Sequence, residues 1–237
     1  ADLRPPGLVL TPFALTRLFV VGIGKETARV VALRGAKVYI GCRDVTKGEA
    51  AIADMLWESG LEVSRLECLA LDLSSFESIK TFATAFLAKK EPLHMLILNA
   101  GVLSSTFSTT TEGFETTFGV NHLGHFLLTS LLIDKLKASA PARVVVLSSA
   151  MHSMGTADGV LTIVKDKKEF AMTTSYGNAK LANLLFASEL NRRLHGTQIS
   201  ANSLHPGMIN TGLARSSFFI RFLTIMGAPF RKTIPQG

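Results

Sequence analysis

Short apolar runs rich in β-branched residues alternate along this chain with longer segments that place apolar residues every three or four positions. This alternation constrains the fold because it is typical of βα units, which build a parallel sheet covered by helices on both faces. The runs predicted as strands are Phe19–Val21, Lys37–Cys42, Leu66–Leu71, Met95–Leu98, Arg143–Ser148 and Ile199–Leu204. The segments predicted as helices are Lys25–Arg34, Lys47–Ser59, Phe76–Lys89, Glu112–Lys137 and Ser175–Leu194.

The predicted fold class is therefore α/β, with one doubly wound domain and a mostly parallel sheet of about six strands. The composition is that of a globular protein, because apolar residues make up 47% and charged residues 18% of the 237 positions. We find no linker, and predict a single domain over residues 1–237 in which residues 1–16 form an atypical N-terminal segment.

Charge and cysteine content narrow the function classes. Lys and Arg exceed Asp and Glu by 25 to 18, but the basic residues are scattered and only two Tyr and one Trp could stack on bases, so we predict no nucleic-acid partner. The only cysteines, Cys42 and Cys68, can form neither a disulfide framework nor a four-ligand zinc site. A reducing, cytoplasmic location is predicted, and membrane-associated or organellar locations stay open.

The apolar stretch from Leu8 to Ile23 is interrupted by Pro12 and Arg17. It is too short for a bilayer span of about 20 residues, so no membrane helix is predicted.

Polar residues and glycines follow all six predicted strands, where ligands of open α/β sheets bind. These residues are Gly22-Ile23-Gly24, Arg43-Asp44, Asp72, Asn99-Ala100-Gly101, Ser148-Ser149 and His205-Pro206-Gly207. Each alone is also explained as a turn or capping residue. Together they predict a lined crevice above the sheet.

Tyr176 and Lys180 lie four residues apart in a predicted helix, and therefore on one face. An ammonium about 5 Å from a phenol stabilises the phenolate by about 3 kcal/mol at an effective dielectric near 20, which would lower the tyrosine pKa by about two units. Such a phenol could exchange a proton with a carbonyl or alcohol oxygen that Ser149 holds by a hydrogen bond. Alone, the spacing is also expected by chance.

His122 and His125 suggest a metal site, but no further ligand lies near them in sequence, so no metal is predicted. Met151, Met154, Met172 and the segment 218–223 suit either an apolar substrate mouth or ordinary core packing.

These motifs, in this order and spacing, resemble the short-chain dehydrogenase/reductase family, in the branch of the retinol dehydrogenases and the WW-domain-containing oxidoreductases. The sequences that carry the resemblance run from about Gly22 to Gly237 and include Gly22-Ile23-Gly24, Cys42-Arg43-Asp44, Leu71-Asp72-Leu73, Asn99-Ala100-Gly101, Asn121-His122-Leu123-Gly124-His125, Ser148-Ser149, Tyr176-Gly177-Asn178-Ala179-Lys180 and His205-Pro206-Gly207. The resemblance implies a Rossmann-like fold and hydride transfer between a nicotinamide cofactor and the carbonyl or alcohol of an apolar retinoid, steroid or lipid aldehyde.

The resemblance also implies residue roles. Tyr176 is the expected general acid/base, Lys180 binds the nicotinamide ribose and lowers the tyrosine pKa, and Ser149, with Ser148 as the fallback, orients the substrate oxygen. Asn121 holds a relay water. The remaining residues implied for the cofactor are Gly22, Ile23, Gly24, Arg43, Asp72, Asn99, Ala100, Gly101, Pro206, Gly207 and Thr211. Because Arg43 follows the second strand, where an acidic residue would favour a free ribose hydroxyl, NADP(H) is expected, with NAD as the alternative.

The chain departs from the family pattern at both ends. The family's Thr-Gly before its glycine-rich turn is replaced by Arg17-Leu18 if the alignment has no gap; with a gap, Phe19–Val21 is the strand and five turn residues are missing. The family also continues past the sequence matched by Pro235-Gln236-Gly237 with a helix and a seventh strand, so the chain is expected to be C-terminally truncated, with weakened stability or oligomerisation. Membrane association and homo-oligomerisation stay open.

The altered phosphate turn motivates a second hypothesis, a catalytically silent relative that serves as a binding or scaffold protein. A nucleotide-binding regulator of a transport complex is a third reading, by analogy alone.

Overall fold

Six strands form one parallel sheet in the order β3-β2-β1-β4-β5-β6. The computed structural model describes residues 13–17, 22–162, 164 and 166–207, with side chains described from residue 22. The strands are β1 (Phe13–Arg17), β2 (Lys37–Cys42), β3 (Leu66–Ala70), β4 (Met95–Leu98), β5 (Ala142–Leu147) and β6 (Ile199–Leu204). The predicted α/β fold is confirmed. The strand order reverses between β1 and β4, where doubly wound sheets bind ligands.

Helices cover both faces of this sheet. They are α1 (Ile23–Leu33), α2 (Val45–Ser59), α3 (Phe76–Ala88), α4 (Thr116–Phe118), α5 (Gly124–Ala138), α6 (Ala157–Leu161) and α7 (Met172–Arg193). Two 3-10 turns, Val63–Arg65 and Ala150–Met154, and a π-helical turn, Gly119–Leu123, complete the described elements. Asp44 and Ser75 cap α2 and α3 by accepting hydrogen bonds from backbone N–H groups three residues on, as short polar side chains do at helix starts.

The alternation of side chains along β2 divides the core into two layers. Val38 and Ile40 pack into an apolar cluster with Met55 of α2, whereas Tyr39 belongs to the cluster on the opposite face. There the Tyr39 ring meets Phe86 of α3 edge-to-face, with ring centroids 5.3 Å apart. The larger cluster also contains residues of α5 and α7, so α3, α5 and α7 share one face of the sheet and α1 and α2 the other.

The first strand that the structure describes lies earlier in the chain than the predicted one. Phe19–Val21 lies outside the described residues, and the strand that pairs with both β2 and β4 is Phe13–Arg17. The observed position corresponds to the alignment without a gap, in which Leu18, also outside the described residues, stands where the family has glycine.

The predicted helix Glu112–Lys137 is wrong at its start. Gly113 has a φ of +84°, outside the helical region, and the Glu112 carboxylate accepts a hydrogen bond from the Phe76 backbone N–H at 2.6 Å. The helix therefore begins at Thr116, where Glu115 caps it, and passes through the π-helical turn before α5.

The two cysteines lie closer together than the sequence indicates. Cys42 and Cys68 are on neighbouring strands with sulfur atoms 3.1 Å apart, and Gly48 of α2 packs against both. This separation exceeds the roughly 2.05 Å of a disulfide, so both residues are thiols. Among the described helices, none has the length and apolar character needed to cross a bilayer.

The core assignment predicts the response to one pair of substitutions. Phe86→Ala should lower the free energy of unfolding by about 3–5 kcal/mol because it removes a fully buried ring and leaves a cavity. Phe126→Ala, at a half-exposed position on α5, is the matched control and should lower it by about 1 kcal/mol or less. Urea unfolding measures both, and equal losses would contradict the assignment.

Candidate active site

Helix α7 presents an unusually polar face to the interior. Tyr176 and Lys180, one turn apart, are 7% and 3% exposed, and the Lys180 Nζ lies 5.5 Å from the centroid of the Tyr176 ring. The structure thus brings the two predicted residues together, on the face where a four-residue spacing places them.

Ser149 is the serine beside the tyrosine. Its hydroxyl lies close enough to Tyr176 to lower the pKa of the phenol by hydrogen bonding, and it caps the Ala150–Met154 turn by accepting from the Met151 N–H at 3.2 Å. The fallback residue Ser148 has a different partner, because its buried hydroxyl donates to the Lys180 backbone carbonyl at 2.8 Å. The geometry therefore favours Ser149 as the hydroxyl available to a substrate oxygen.

Two glycines allow the turn that Ser149 caps to lie close to α7. A Cβ atom on Gly177 would lie 3.0 Å from the Met151 carbonyl oxygen, and one on Gly155 would lie 2.7 Å from the Gly177 carbonyl oxygen. These distances are shorter than ordinary van der Waals contacts. The turn that begins at Ser149 can lie against α7 at this distance because neither residue has a side chain.

The Lys180 ammonium is anchored at the end of β5. Its Nζ donates to the Leu147 carbonyl oxygen at 2.9 Å, and the Asn183 Nδ2 donates to the same oxygen at 3.1 Å. The Asn183 Oδ1 lies 3.2 Å from the His122 Nδ1. The sequence analysis did not identify Asn183. Its spacing of seven residues from Tyr176, which places it on the same helix face, is the signal that points to it.

Asn121 lies in the π-helical turn and is fully buried. Its side chain fixes the segment after β4, accepting from the Val102 N–H at 2.7 Å and donating to the Val102 carbonyl at 2.8 Å. The expected relay water stays a prediction. Beside it, a Cβ on Gly101 would lie 3.4 Å from the Asn121 Oδ1 and 3.6 Å from the Lys180 Nζ, so glycine keeps the space next to the ammonium open.

Burial has the largest effect on the pKa values of Tyr176 and Lys180. It raises the pKa of Tyr176 to about 12, although the hydrogen bond with Ser149 acts in the opposite direction, and it lowers the pKa of Lys180 to about 8. The expectation that Lys180 makes the phenol acidic is therefore wrong for the protein by itself. Desolvation of the phenolate outweighs the hydrogen bond with Ser149, and Tyr176 is a neutral phenol at neutral pH.

The other residues implied for a cofactor lie mostly at the carboxyl ends of the strands. Gly22, with a φ of +95°, Ile23 and Gly24 open α1, whereas Asn99, Ala100 and Gly101 follow β4, and Pro206 and Gly207 follow β6. Thr211 lies outside the described residues. The contacts of all these residues with a cofactor stay predictions.

Arg43 and Asp72 follow β2 and β3. Arg43 is exposed, and the neighbouring Asp44 is engaged with Lys47, both as the cap of α2 and through an ion pair of 2.9 Å. The Asp72 carboxylate accepts hydrogen bonds from the Ser74 N–H at 2.9 Å and the Ser74 hydroxyl at 2.7 Å. Arg43 is thus an exposed, charged side chain at the end of β2, and its contact with a cofactor stays a prediction.

His122 and His125 do not converge on a common point. His122 faces Asn183, and the His125 Nδ1 lies 3.0 Å from the Asn121 carbonyl oxygen. No group of three or more His, Cys, Asp or Glu side chains is arranged to hold a metal ion within the part of the chain that the structure describes.

Comparison with known proteins agrees with this geometry. The chain is 49% identical to mouse retinol dehydrogenase 12 over 91% of its own length and 67% of that protein, and 42% identical to the chicken WW domain-containing oxidoreductase over 91% of its length and 53% of that protein. It superposes on a crystal structure of an uncharacterised protein from Mycobacterium paratuberculosis with a TM-score of 0.73 and 34% identity, covering 93% of this chain and 77% of that one. A family model for the short-chain dehydrogenases matches residues 20–218, and the chain is an oxidoreductase that belongs to this family.

Proposed function

We propose that the protein transfers hydride between NADP(H) and the carbonyl or alcohol carbon of an apolar substrate of the retinoid, steroid or lipid aldehyde type. The observation that carries the proposal is the cluster formed by Tyr176, Ser149 and Lys180 at the ends of β4 and β5. A phenol, a hydroxyl and a buried ammonium at one point provide both proton transfer and orientation of an oxygen atom.

The residues present fit a nicotinamide dinucleotide at both ends of the crevice. At one end, Gly101 leaves space beside Lys180, whose ammonium could donate to ribose hydroxyls. At the other, exposed Arg43 could pair with a ribose 2′-phosphate, since guanidinium groups bind phosphate by paired, charge-assisted hydrogen bonds. The turn that would bind the pyrophosphate begins at residues outside the described part of the chain, and Gly22 with its positive φ ends it.

The protonation state of the site is compatible with carbonyl reduction. When bound, a reduced nicotinamide supplies the hydride. Tyr176, neutral below its pKa of about 12, can donate a proton to the oxygen atom that becomes the alcohol, while the Ser149 hydroxyl holds that oxygen in place. Lys180 stabilises the resulting phenolate, because its charge lies near the ring in an environment of low polarity.

The proposed substrate class follows from the relatives and from the turn after Ser149. Relatives that are 49% and 45% identical to this chain are named as retinol dehydrogenases, and retinol is a long apolar alcohol. In this chain Met151 and half-exposed Met154 lie in the short turn that Ser149 caps, and methionine is a flexible apolar side chain suited to an apolar substrate. Residues 218–223 lie outside the described part.

Tyr176→Phe tests the proton transfer. Loss of the hydroxyl should lower kcat for reduction of all-trans-retinal with NADPH by about 10²–10⁴-fold, the usual contribution of general acid catalysis. The affinity for NADPH, measured by fluorescence titration, should change little. Tyr39→Phe is the matched control, because Tyr39 is the only other tyrosine and its hydroxyl bonds Glu91. Unchanged turnover of Tyr176→Phe would exclude this role for Tyr176.

Lys180→Met separates function from stability. A buried ammonium whose pKa falls from 10.5 to about 8 destabilises the folded protein by about 3 kcal/mol at pH 7. Methionine should therefore abolish turnover and yet raise the free energy of unfolding by about 2 kcal/mol at pH 7. The pKa of Lys180 in the folded protein lies below its value in the unfolded chain. The greater stability of the methionine variant should therefore persist below pH 8 and disappear as the pH rises towards 10.5. Urea unfolding at pH 7 and pH 10 measures this; a variant less stable than the parent at pH 7 would refute it.

Arg43→Ser tests the choice of cofactor. Loss of a charge-assisted contact with the 2′-phosphate should weaken NADPH binding by about 10-fold or more and leave NADH binding almost unchanged. Arg34→Ser, at the far end of α1, is the control and should affect neither. Failure of the folded parent to bind either dinucleotide would favour the catalytically silent alternative.

A further inference from the structure

We propose that Asn183 is a positioning residue for Lys180, acting through the carbonyl oxygen of Leu147 and held in orientation by His122. The inference rests on the proposed function, because positioning matters only if Lys180 serves the cofactor and the tyrosine. It begins with a shared acceptor: the Lys180 Nζ and the Asn183 Nδ2 lie 2.9 and 3.1 Å from the same oxygen.

A carbonyl oxygen has two lone pairs and therefore two favourable directions for a donor. Asn183 occupies one of them, which leaves Lys180 the other and fixes where its ammonium sits. A lysine side chain rotates freely about four carbon–carbon bonds, and the second donor removes one of the positions it could otherwise adopt. The two remaining N–H bonds of the ammonium are then directed away from β5.

The orientation of Asn183 is itself determined. The side chain is fully buried, so neither end of its amide can exchange partners with bulk water. Its oxygen lies 3.2 Å from the His122 Nδ1, and its nitrogen faces the carbonyl. A reversed amide would place its oxygen against the Leu147 oxygen, so both contacts support a single orientation with His122 donating from Nδ1.

His122 belongs to an aromatic cluster and contacts the candidate active site through Asn183. Its ring centroid lies 5.3 Å from that of Phe118, 6.1 Å from Phe186 and 6.2 Å from Phe126. Burial lowers its pKa, so it is a neutral imidazole at neutral pH and can donate from one nitrogen only. The π-helical turn that contains both Asn121 and His122 therefore also directs Lys180, through Asn183.

The test separates positioning from a merely structural role. Asn183→Leu, which keeps the volume, removes both hydrogen bonds and leaves the His122 nitrogen without this acceptor, so it should lower both stability and kcat. The double variant His122→Phe/Asn183→Leu replaces both partners with apolar groups among Phe118, Phe126 and Phe186, which should restore the melting temperature. We expect kcat with NADPH and all-trans-retinal to remain about 10-fold below the parent in the double variant, about 1.4 kcal/mol of activation free energy.

The KM for retinal should change little, since Asn183 does not reach the substrate. Asn191→Leu is the matched control. Asn191 also lies on α7 and accepts a hydrogen bond from the backbone N–H of Ala201 in β6 at 3.2 Å, so its loss removes a helix-to-strand hydrogen bond that does not involve Lys180. Its kcat should equal that of the parent. If the double variant recovers kcat together with the melting temperature, or if Asn183→Leu alone leaves kcat unchanged, the positioning role is overturned.

A parent that binds NADPH but turns over no aldehyde would defeat the proposed function, and the positioning claim would then be decided by crystallography. In the double variant the Lys180 Nζ should leave its place beside the Leu147 oxygen by more than about 0.5 Å, the tolerance of a catalytic geometry. An ammonium found within that limit would overturn the proposal.

Discussion

The interaction on which the candidate site depends is the bond between a buried ammonium and the last carbonyl of a central strand. A buried charge is costly unless polar groups surround it, and the Leu147 oxygen is the acceptor that makes the position of Lys180 tenable. The end of β5 can supply that oxygen because not all backbone groups at the carboxyl end of a strand are used in pairing with neighbouring strands. The carboxyl end of β5 thus provides the hydrogen-bond acceptor that holds Lys180 in the candidate site.

The same requirement explains the character of α7. A helix against a sheet normally buries an apolar stripe, yet α7 buries Tyr176, Asn178, Lys180 and Asn183. Each has a defined partner: Ser149, the Thr156 N–H, and for the last two the Leu147 oxygen. Contacts of this kind need close approach of backbones, which the glycines at 155 and 177 permit. The apolar residues of the two core clusters compensate for the stability that this polar face loses.

The sequence predicts most of the fold, because its signals are local. The bounds of β2, β4 and β6 are confirmed from apolar runs alone, since these strands are buried and flanked by turn residues. The predicted first strand, Phe19–Val21, rests on β-propensity alone, whereas β1 at Phe13–Arg17 is identified by its pairing with two neighbouring strands. The proximity of Tyr176 and Lys180 follows from helical spacing. The pKa of the phenol does not, because desolvation depends on residues distant in sequence, and the same holds for the partners of Asn183.

The two basic residues proposed to contact the cofactor, Arg43 and Lys180, differ in their exposure. Arg43 is exposed, and a guanidinium stays charged at any physiological pH, which favours recognition of a permanent anion. Lys180 is buried with a pKa of about 8, so its charge responds to small changes in its surroundings. An exposed lysine would be fully charged near neutral pH and a buried arginine could not release its proton. The burial of Lys180 by α7 and β5 therefore brings the pKa of the ammonium beside Tyr176 closer to neutrality than that of an exposed lysine.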